Sequence, residues 1–310
     1  MLQLNKDGSF RILVIADVQD CRPLDGTKKE HLSRLICRGN PDLIVLLGDM
    51  LFGPLVWTRT GAKQIISSIL DPIGQSQIPF AVVSGNHDQD ARMPFLDQVE
   101  QYRESPLCLT PGAKERNCAG AWHLDVSDDQ GDVRARLLFL DSGATKLTLS
   151  GIQYIPADQG QMEYTKALLS ETDCPPVFVF QHIPVPEIYR LIKYVNAGEP
   201  GAVRGRGPNR GKYLALLDPS CGVMNESPCP PWENGGQFDA WVQSGKVKAA
   251  VFGHDQINSF TGKVENVMMI QTSCAGLSCY GRDELRGGRM LTVFPEGRFD
   301  TYPMYYREMK

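Results

Sequence analysis

The chain alternates short, nearly uninterrupted apolar runs with longer amphipathic stretches. Phe10-Arg11-Ile12-Leu13-Val14-Ile15-Ala16, Leu43-Ile44-Val45-Leu46-Leu47 and Phe80-Ala81-Val82-Val83 are apolar at odd and even positions alike, as expected of strands covered on both faces. Between them Leu32, Leu35 and Ile36, closed by Gly39-Asn40-Pro41, and then Ile65, Ile66, Ile69 and Leu70 recur at helical spacing. This repeated β-α-β order predicts parallel pairing with right-handed crossovers. The middle of the chain is richer in strands: Ala121 to Val126 and Ala135 to Leu140 read as neighbours around the polar turn Ser127 to Asp132. A helix over Ala157 to Leu169 then leads into a buried strand over Val177 to Phe180. A short helix near Phe238 to Gln243 follows, with strands at Lys248 to Phe252, Val267 to Thr272, Met290 to Phe294 and Phe299 to Tyr302. Residues 195 to 235 carry almost no periodicity and, with 105 to 120, read as long loops on the substrate side. A structureless stretch of that length is usually functional or mobile. With no internal repeat or low-complexity linker, one α/β domain over residues 1–310 is the economical organisation.

The polar residues that interrupt this pattern share one address, directly after an apolar strand. Asp17 and Gln19 follow the first strand, Gly48-Asp49 the second and Gly85-Asn86-His87-Asp88 the third. Gln181-His182 follow Val177 to Phe180, and Gly253-His254-Asp255-Gln256 follow Lys248 to Phe252. Ligands of open α/β sheets bind outside the carboxyl ends of the strands, so five strands deliver carboxylate, amide and imidazole groups to one rim. Three of the five histidines in the chain lie there. Anionic oxygen together with imidazole nitrogen is the donor set of a divalent cation such as Zn²⁺, Mn²⁺ or Fe.

Composition narrows the partners. A net charge of -4 argues against nucleic acid as the main partner, because binding a phosphate backbone needs a cationic face. It leaves room for a small phosphorylated substrate, since bound cations add positive charge the formal count omits. Polar residues at Lys6 to Ser9 interrupt the first apolar run, so neither a signal peptide nor a membrane span is expected. Nine scattered cysteines suit reduced thiols in a cytoplasm; Cys108 with Cys118 and Cys221 with Cys229 are local pairs that could bridge in an exported protein.

Taken in order, Asp17-Val18-Gln19, Gly48-Asp49, Gly85-Asn86-His87-Asp88, His182 and Gly253-His254-Asp255-Gln256 resemble the calcineurin-like metallophosphoesterases, whose pattern is D-x-H, G-D, G-N-H-[DE], a lone His and G-H-x-H. The phrases Leu140-Asp141-Ser142-Gly143 and Gln181-His182-Ile183-Pro184-Val185-Pro186-Glu187 look like the branch related to purple acid phosphatases of fungi, plants and bacteria. The resemblance runs from about Phe10 to near the C-terminus. It implies a four-layer α/β/β/α sandwich of two mixed sheets flanked by helices, with a two-metal centre. It would make Asp17 a ligand of the first metal, Asp49 the bridge, and Asn86, His182 and His254 ligands of the second. His87 would act as general acid or phosphate contact, oriented by Asp88. Gln19 and Gln256 stand where the pattern has histidines, both at the first metal. A glutamine carbonyl is a harder and weaker donor than imidazole, so that site should prefer Mn²⁺, Mg²⁺ or Ca²⁺. Phe52 replaces the tyrosine of purple acid phosphatases, so purple Fe(III)–tyrosinate chemistry is not expected.

The function these features imply is hydrolysis of phosphate monoesters or diesters with one or two divalent ions. The alternative is a weakened member that binds a phosphorylated ligand or partner without efficient turnover, favoured by the two glutamines. His31 is expected at the solvated surface, and His123 as a hydrogen-bonded structural imidazole. Asp20 and Asp255 either orient neighbouring ligands or form turns. Tyr154, Trp232 and the basic run Arg204 to Lys212 read first as packing and as a solvated loop; the alternative is a pocket wall and an anion grip.

Overall fold

The computed structural model describes residues 2–112, 120–148 and 151–309. One sheet has five strands in the order Phe299–Tyr305, Gly287–Val293, Phe10–Ile15, Leu43–Leu47, Phe80–Val83. The last three run parallel, Gly287–Val293 pairs antiparallel to Phe10–Ile15, and Phe299–Tyr305 pairs antiparallel to Gly287–Val293. The other sheet has eight strands, centred on the parallel set Val133–Leu140, Val177–Gln181, Val247–Phe252 and Val267–Gln271.

Side-chain alternation decides the layers. Ile12, Val14, Val45 and Leu47 of the first sheet share a core with Phe139, Phe178, Phe180 and Val251 of the second, so the sheets stack face to face. Leu13, Ile15, Ile44 and Leu46 point the other way, onto Leu35, Ile36, Ile65 and Ile69 of the helices Gly26–Gly39 and Arg59–Ser76. Val177, Val179, Ala250 and Phe252 likewise meet Leu168, Phe238 and Trp241 of the helices Gln159–Leu169 and Gln237–Ser244. Continuous apolar runs therefore mean strands buried on both faces, and the expected α/β/β/α sandwich is what they build. Each such side chain contributes about 1.5–3 kcal/mol relative to exposure.

Local chemistry sets the helix ends. Asp25 accepts from Lys28 N at 3.0 Å, and Asn40 closes the same helix in the left-handed region at φ 41°. Asp158 and Gln161 form a reciprocal capping box before the helix Gln159–Leu169.

Residues 195 to 235 are more ordered than their composition suggests. Ile192–Val195, Val203–Arg204 and Tyr213–Leu216 form a small antiparallel sheet, and Gly222–Val223 pairs onto the eight-stranded one. These strands are too short to display a period. Part of the other long loop, residues 105–112, runs along the edge of Phe80–Val83: Cys108 bridges to Phe80, and the Thr110 hydroxyl accepts from Val82 N at 2.8 Å. Three further elements lacked a clear signal: the helix Phe95–Tyr102, the strand Ser259–Val264 and the hairpin Thr145–Thr148 with Gly151–Tyr154. Cys221 and Cys229 are both free thiols, and Cys118 lies outside the described residues. No helix among the described residues is long and apolar enough to cross a membrane.

Candidate metal centre

The chain leaves its rim strands through strained turns. Asp17, Gln19, Asp49 and His254 all hold positive φ, at 54°, 44°, 52° and 72°. Non-glycine residues rarely adopt this region unless the surroundings enforce it. Backbone ties enforce it here: Asp17 N donates to Gly48 O at 3.1 Å, Gln19 N to Asp49 O at 3.0 Å and Gly253 N to His182 O at 3.0 Å. Gly48, at φ 84°, passes so close to His182 that a Cβ would lie 2.7 Å from its ring, and a Cβ on Gly85 would overlap Asp49 Oδ1. Glycine is required at both because the strand ends must nearly touch.

The result is a buried knot of donors. Asp17, Asp49 and His182 are essentially inaccessible, Asn86, Gln19 and Gln256 are buried, and His87 and His254 are half-buried on the open side. One ligand atom each from Asp49, His182 and His254 lies within 4.8 Å of the others. His182 Nδ1 contacts Leu47 O at 2.8 Å, which turns Nε2 toward Asp49 Oδ2 at 3.1 Å and Asp17 Oδ1 at 3.9 Å. Asp17 Oδ2 accepts from His254 N at 3.0 Å, and Asp49 Oδ1 from His87 N at 2.8 Å. Asn86 Oδ1 and Gln256 Oε1 are buried without a hydrogen-bond partner. Such orphaned acceptors are costly unless a ligand satisfies them.

Charge follows from this packing. Burial pushes the Asp17 carboxyl well above the usual range, with Asp49 adding to the rise and His182 opposing it. Burial also penalises the Asp49 carboxylate, but His182 outweighs that and, with His87 and His254, holds it down at about 2. His182 feels the same burial, yet Asp49 and Asp17 raise it to about 10, whereas burial and the charge of His182 lower His254 to about 3. His182 thus takes the place of a cation between two buried carboxylates. A divalent ion would compete for the same two groups with twice the charge.

The other expected residues are placed as follows. Gln19 does not present its carbonyl as a ligand: its Nε2 donates to Asp49 Oδ2 at 2.9 Å and reaches Asp17 Oδ1 at 3.5 Å. An amide nitrogen has no lone pair for a metal, so Gln19 is not a donor in this arrangement, and the first site keeps only the oxygens of Asp17, Asp49 and Gln256. The second site has the fuller set, since Asp49, Asn86, His182 and His254 supply anionic oxygen, an orphaned amide oxygen and imidazole nitrogen. Asp88 does not orient His87. Its carboxylate accepts from Asp49 N at 2.7 Å, Gly85 N at 3.0 Å and Leu51 N at 3.0 Å, clasping two strand ends together. Burial, reinforced by the charge of Asp49, raises it to about 7. The carboxylate at the His87 ring is Asp90, with Oδ2 3.4 Å from Nδ1; the i,i+3 spacing of these residues was a readable signal.

Asp141 Oδ1 accepts from Ser84 N at 2.8 Å and Ser142 Oγ from Ile183 N at 2.9 Å, so this segment braces the loops carrying Asn86 and His182. Asp20 pairs with Lys28 at 2.9 Å, and buried Asp255 accepts from Cys229 N at 3.1 Å. His123 does meet a structural partner, Tyr164 Oη at 2.6 Å. His31 is half-buried rather than solvated, its ring edge-on to Tyr306 at 4.8 Å. Tyr154, read as packing, stands edge-on to His254 at 4.8 Å; no local motif marks it.

Comparison with known proteins gives a consistent result. The family described as calcineurin-like phosphoesterase matches residues 10–258. Two Arabidopsis thaliana proteins named probable inactive purple acid phosphatase 14 and 28 are each 26% identical, over 91% of this chain and 74% of theirs. Among solved structures, a dimetal phosphatase from Danio rerio superposes with a TM-score of 0.59 at 14% identity, covering 96% of this chain and 99% of its own. GAP50, described as the anchor in the inner membrane complex of Plasmodium, gives 0.56 at 11% identity, over 97% and 86%. At such identities the structural likenesses speak for the fold.

Proposed function

Because the chain belongs to the calcineurin-like phosphoesterase family, we propose that it hydrolyses phosphate esters with one firmly held divalent cation on Asp49, Asn86, His182 and His254. The observation that carries this reading is the cluster of Asp49, His182 and His254, one ligand atom of each within 4.8 Å of the others, with Asn86 Oδ1 a buried acceptor that lacks a partner. A bound ion would supply Lewis acidity, polarising phosphoryl oxygens and making a water nucleophilic near neutral pH. His87 stands half-exposed at the mouth, and with Nδ1 facing Asp90 its Nε2 is left to protonate the departing oxygen. Phe52, edge-on to His87 at 5.0 Å, limits how the ring can turn. Asp88 holds the Asp49 and Asn86 loops in register, which keeps the ligands pre-positioned.

A second reading, binding of a phosphorylated ligand or partner without efficient turnover, is favoured by the Gln19 amide at Asp49 and by the names of the Arabidopsis relatives. Metal analysis of purified protein, combined with turnover of p-nitrophenyl phosphate and its bis-ester with added Mn²⁺ and with chelator, separates the two. Hydrolysis is expected to follow about one bound ion per chain and to vanish on chelation. Metal uptake without turnover selects the second reading, and protein that takes up no ion under any condition sinks both.

A further inference from the structure

Beyond the metal ligands, one wall of the open face is shared with a separate cavity. Tyr154 and Cys229 line that cavity, which has a volume of about 370 Å³, together with Arg206, Arg210, Trp232 and neighbouring prolines. Both also touch the metal side, Tyr154 through its edge contact with His254 and Cys229 through its backbone N–H on Asp255. One layer of side chains therefore separates the cavity from a metal ligand. His254 is only half-buried, and it is the side chain that Tyr154 meets.

The walls have a definite chemistry. No aspartate or glutamate lines the cavity, while two arginines do. Arg206 is held in place: its Nη1 lies 3.0 Å from Glu226 Oε2, a buried carboxylate that also accepts from Tyr280 Oη at 3.1 Å and Ile257 N at 3.1 Å. Its charge is thereby balanced. Arg210 is exposed and has no ion-pair partner among the described residues, so the uncompensated positive charge at this mouth is its own. Trp232 remains 41% exposed. One edge of its ring rests on Gly207, where a Cβ would come within 2.8 Å of Nε1. An indole supported at one edge and open to solvent offers a stacking surface, and tryptophan is the strongest such surface among side chains. Tyr154 adds a second aromatic wall, and Ile152, 71% exposed, extends the apolar side.

We propose that this cavity is the leaving-group subsite, and that it takes a leaving group combining a flat aromatic ring with an anionic substituent. The ring would lie against Trp232 and Tyr154, and the anion would meet the Arg210 guanidinium. The inference rests on the proposed phosphoesterase reading, because the phosphoryl group must sit at His254 for its leaving group to fall across Tyr154. It goes beyond that reading by selecting a substrate class: aryl esters bearing a negative charge over neutral aryl and small alkyl esters.

The test uses two non-hydrolysable probes, (4-carboxybenzyl)phosphonate and (4-carbamoylbenzyl)phosphonate, titrated calorimetrically into Mn²⁺-loaded full-length protein. They differ in one charge at constant shape. The carboxylate is expected to bind about fivefold more tightly, the size of one partly exposed charge pair. Arg210→Ala should bring that ratio to near one, and Trp232→Ala should weaken both probes together. Arg210→Gln serves equally should the alanine variant fold poorly. Equal binding of the two probes to the unaltered protein, or a preference that survives the loss of Arg210, overturns the assignment. Because binding is read without turnover, the outcomes separate. Protein that discriminates the probes but hydrolyses no ester refutes the catalytic reading, and with it the leaving-group role, while keeping the cavity as a binding site for the aromatic anion. Protein that hydrolyses esters without discriminating refutes the cavity assignment alone.

Discussion

At Gln19 the side-chain amide donates to Asp49 Oδ2 at 2.9 Å, where an imidazole would offer a lone pair to an ion. With Gln256 Oε1 buried and unpartnered, this leaves the first metal position without nitrogen ligands. Gln19→His combined with Gln256→His is therefore expected to raise the bound Zn²⁺ from about one to about two ions per chain, measured by elemental analysis. Unchanged stoichiometry would mean that something other than these two side chains closes the site. His87 differs in kind, because it borders the donors without being one. His87→Ala should lower kcat by roughly 10²–10⁴, the usual worth of a general acid, while metal content stays near that of the unaltered protein. If the metal leaves with the imidazole, His87 is a ligand and the assignment is wrong.

The strand-end turns work because side chains are missing from them as much as because ligands are present. Gly85 has no room for a methyl group beside Asp49 Oδ1, so Gly85→Ala must displace either the Asn86 loop or the Asp49 carboxylate. The expected result is at least a tenfold weaker metal Kd together with a lower Tm, since misplacing a ligand by even 1 Å is costly. A variant with normal affinity and normal Tm would show that the close approach is dispensable. Much of this was legible along the chain: each ligand follows a glycine or an apolar strand, and the glycines read as positions where backbone comes near backbone. Asp88 was legible only as the neighbour of His87 in its motif, not as a clasp, because two of the amides it holds, those of Asp49 and Leu51, lie 39 and 37 residues away.

Across the molecule, three cores hold four layers, and the candidate ligands come from both sheets: Asp49 and Asn86 from the five-stranded one, His182 and His254 from the eight-stranded one. A cation on Asp49, Asn86, His182 and His254 would therefore tie the two sheets together. Anything that binds only the folded state stabilises it by mass action, by roughly 2.7 kcal/mol at a hundredfold excess over Kd. Chelation is accordingly expected to lower Tm by several degrees, and Asp49→Asn to abolish that difference, both read by thermal unfolding with and without Mn²⁺. A Tm indifferent to metal in the unaltered protein would contradict the proposed site.

The apolar periods and the residues standing after them could be read from the chain, because a strand buried on both faces and a turn leaving it are local facts of order and spacing. Residues such as Ile12, Val45 and Phe180 announced their strands, and Asp17, Asp49 and His254 announced the rim. The partner of each polar atom could not be read in this way. Whether Gln19 turns its oxygen or its nitrogen to the centre depends on two carboxylates, one of them 30 residues away, and Asp17 Oδ2 receives an amide from 237 residues away. Hydrogen-bond direction and charge are settled by what surrounds a group in space, so only the packed sheets decided which donors remained free for a cation. They also decided that Tyr154 would stand against His254, with Trp232 lining the neighbouring cavity.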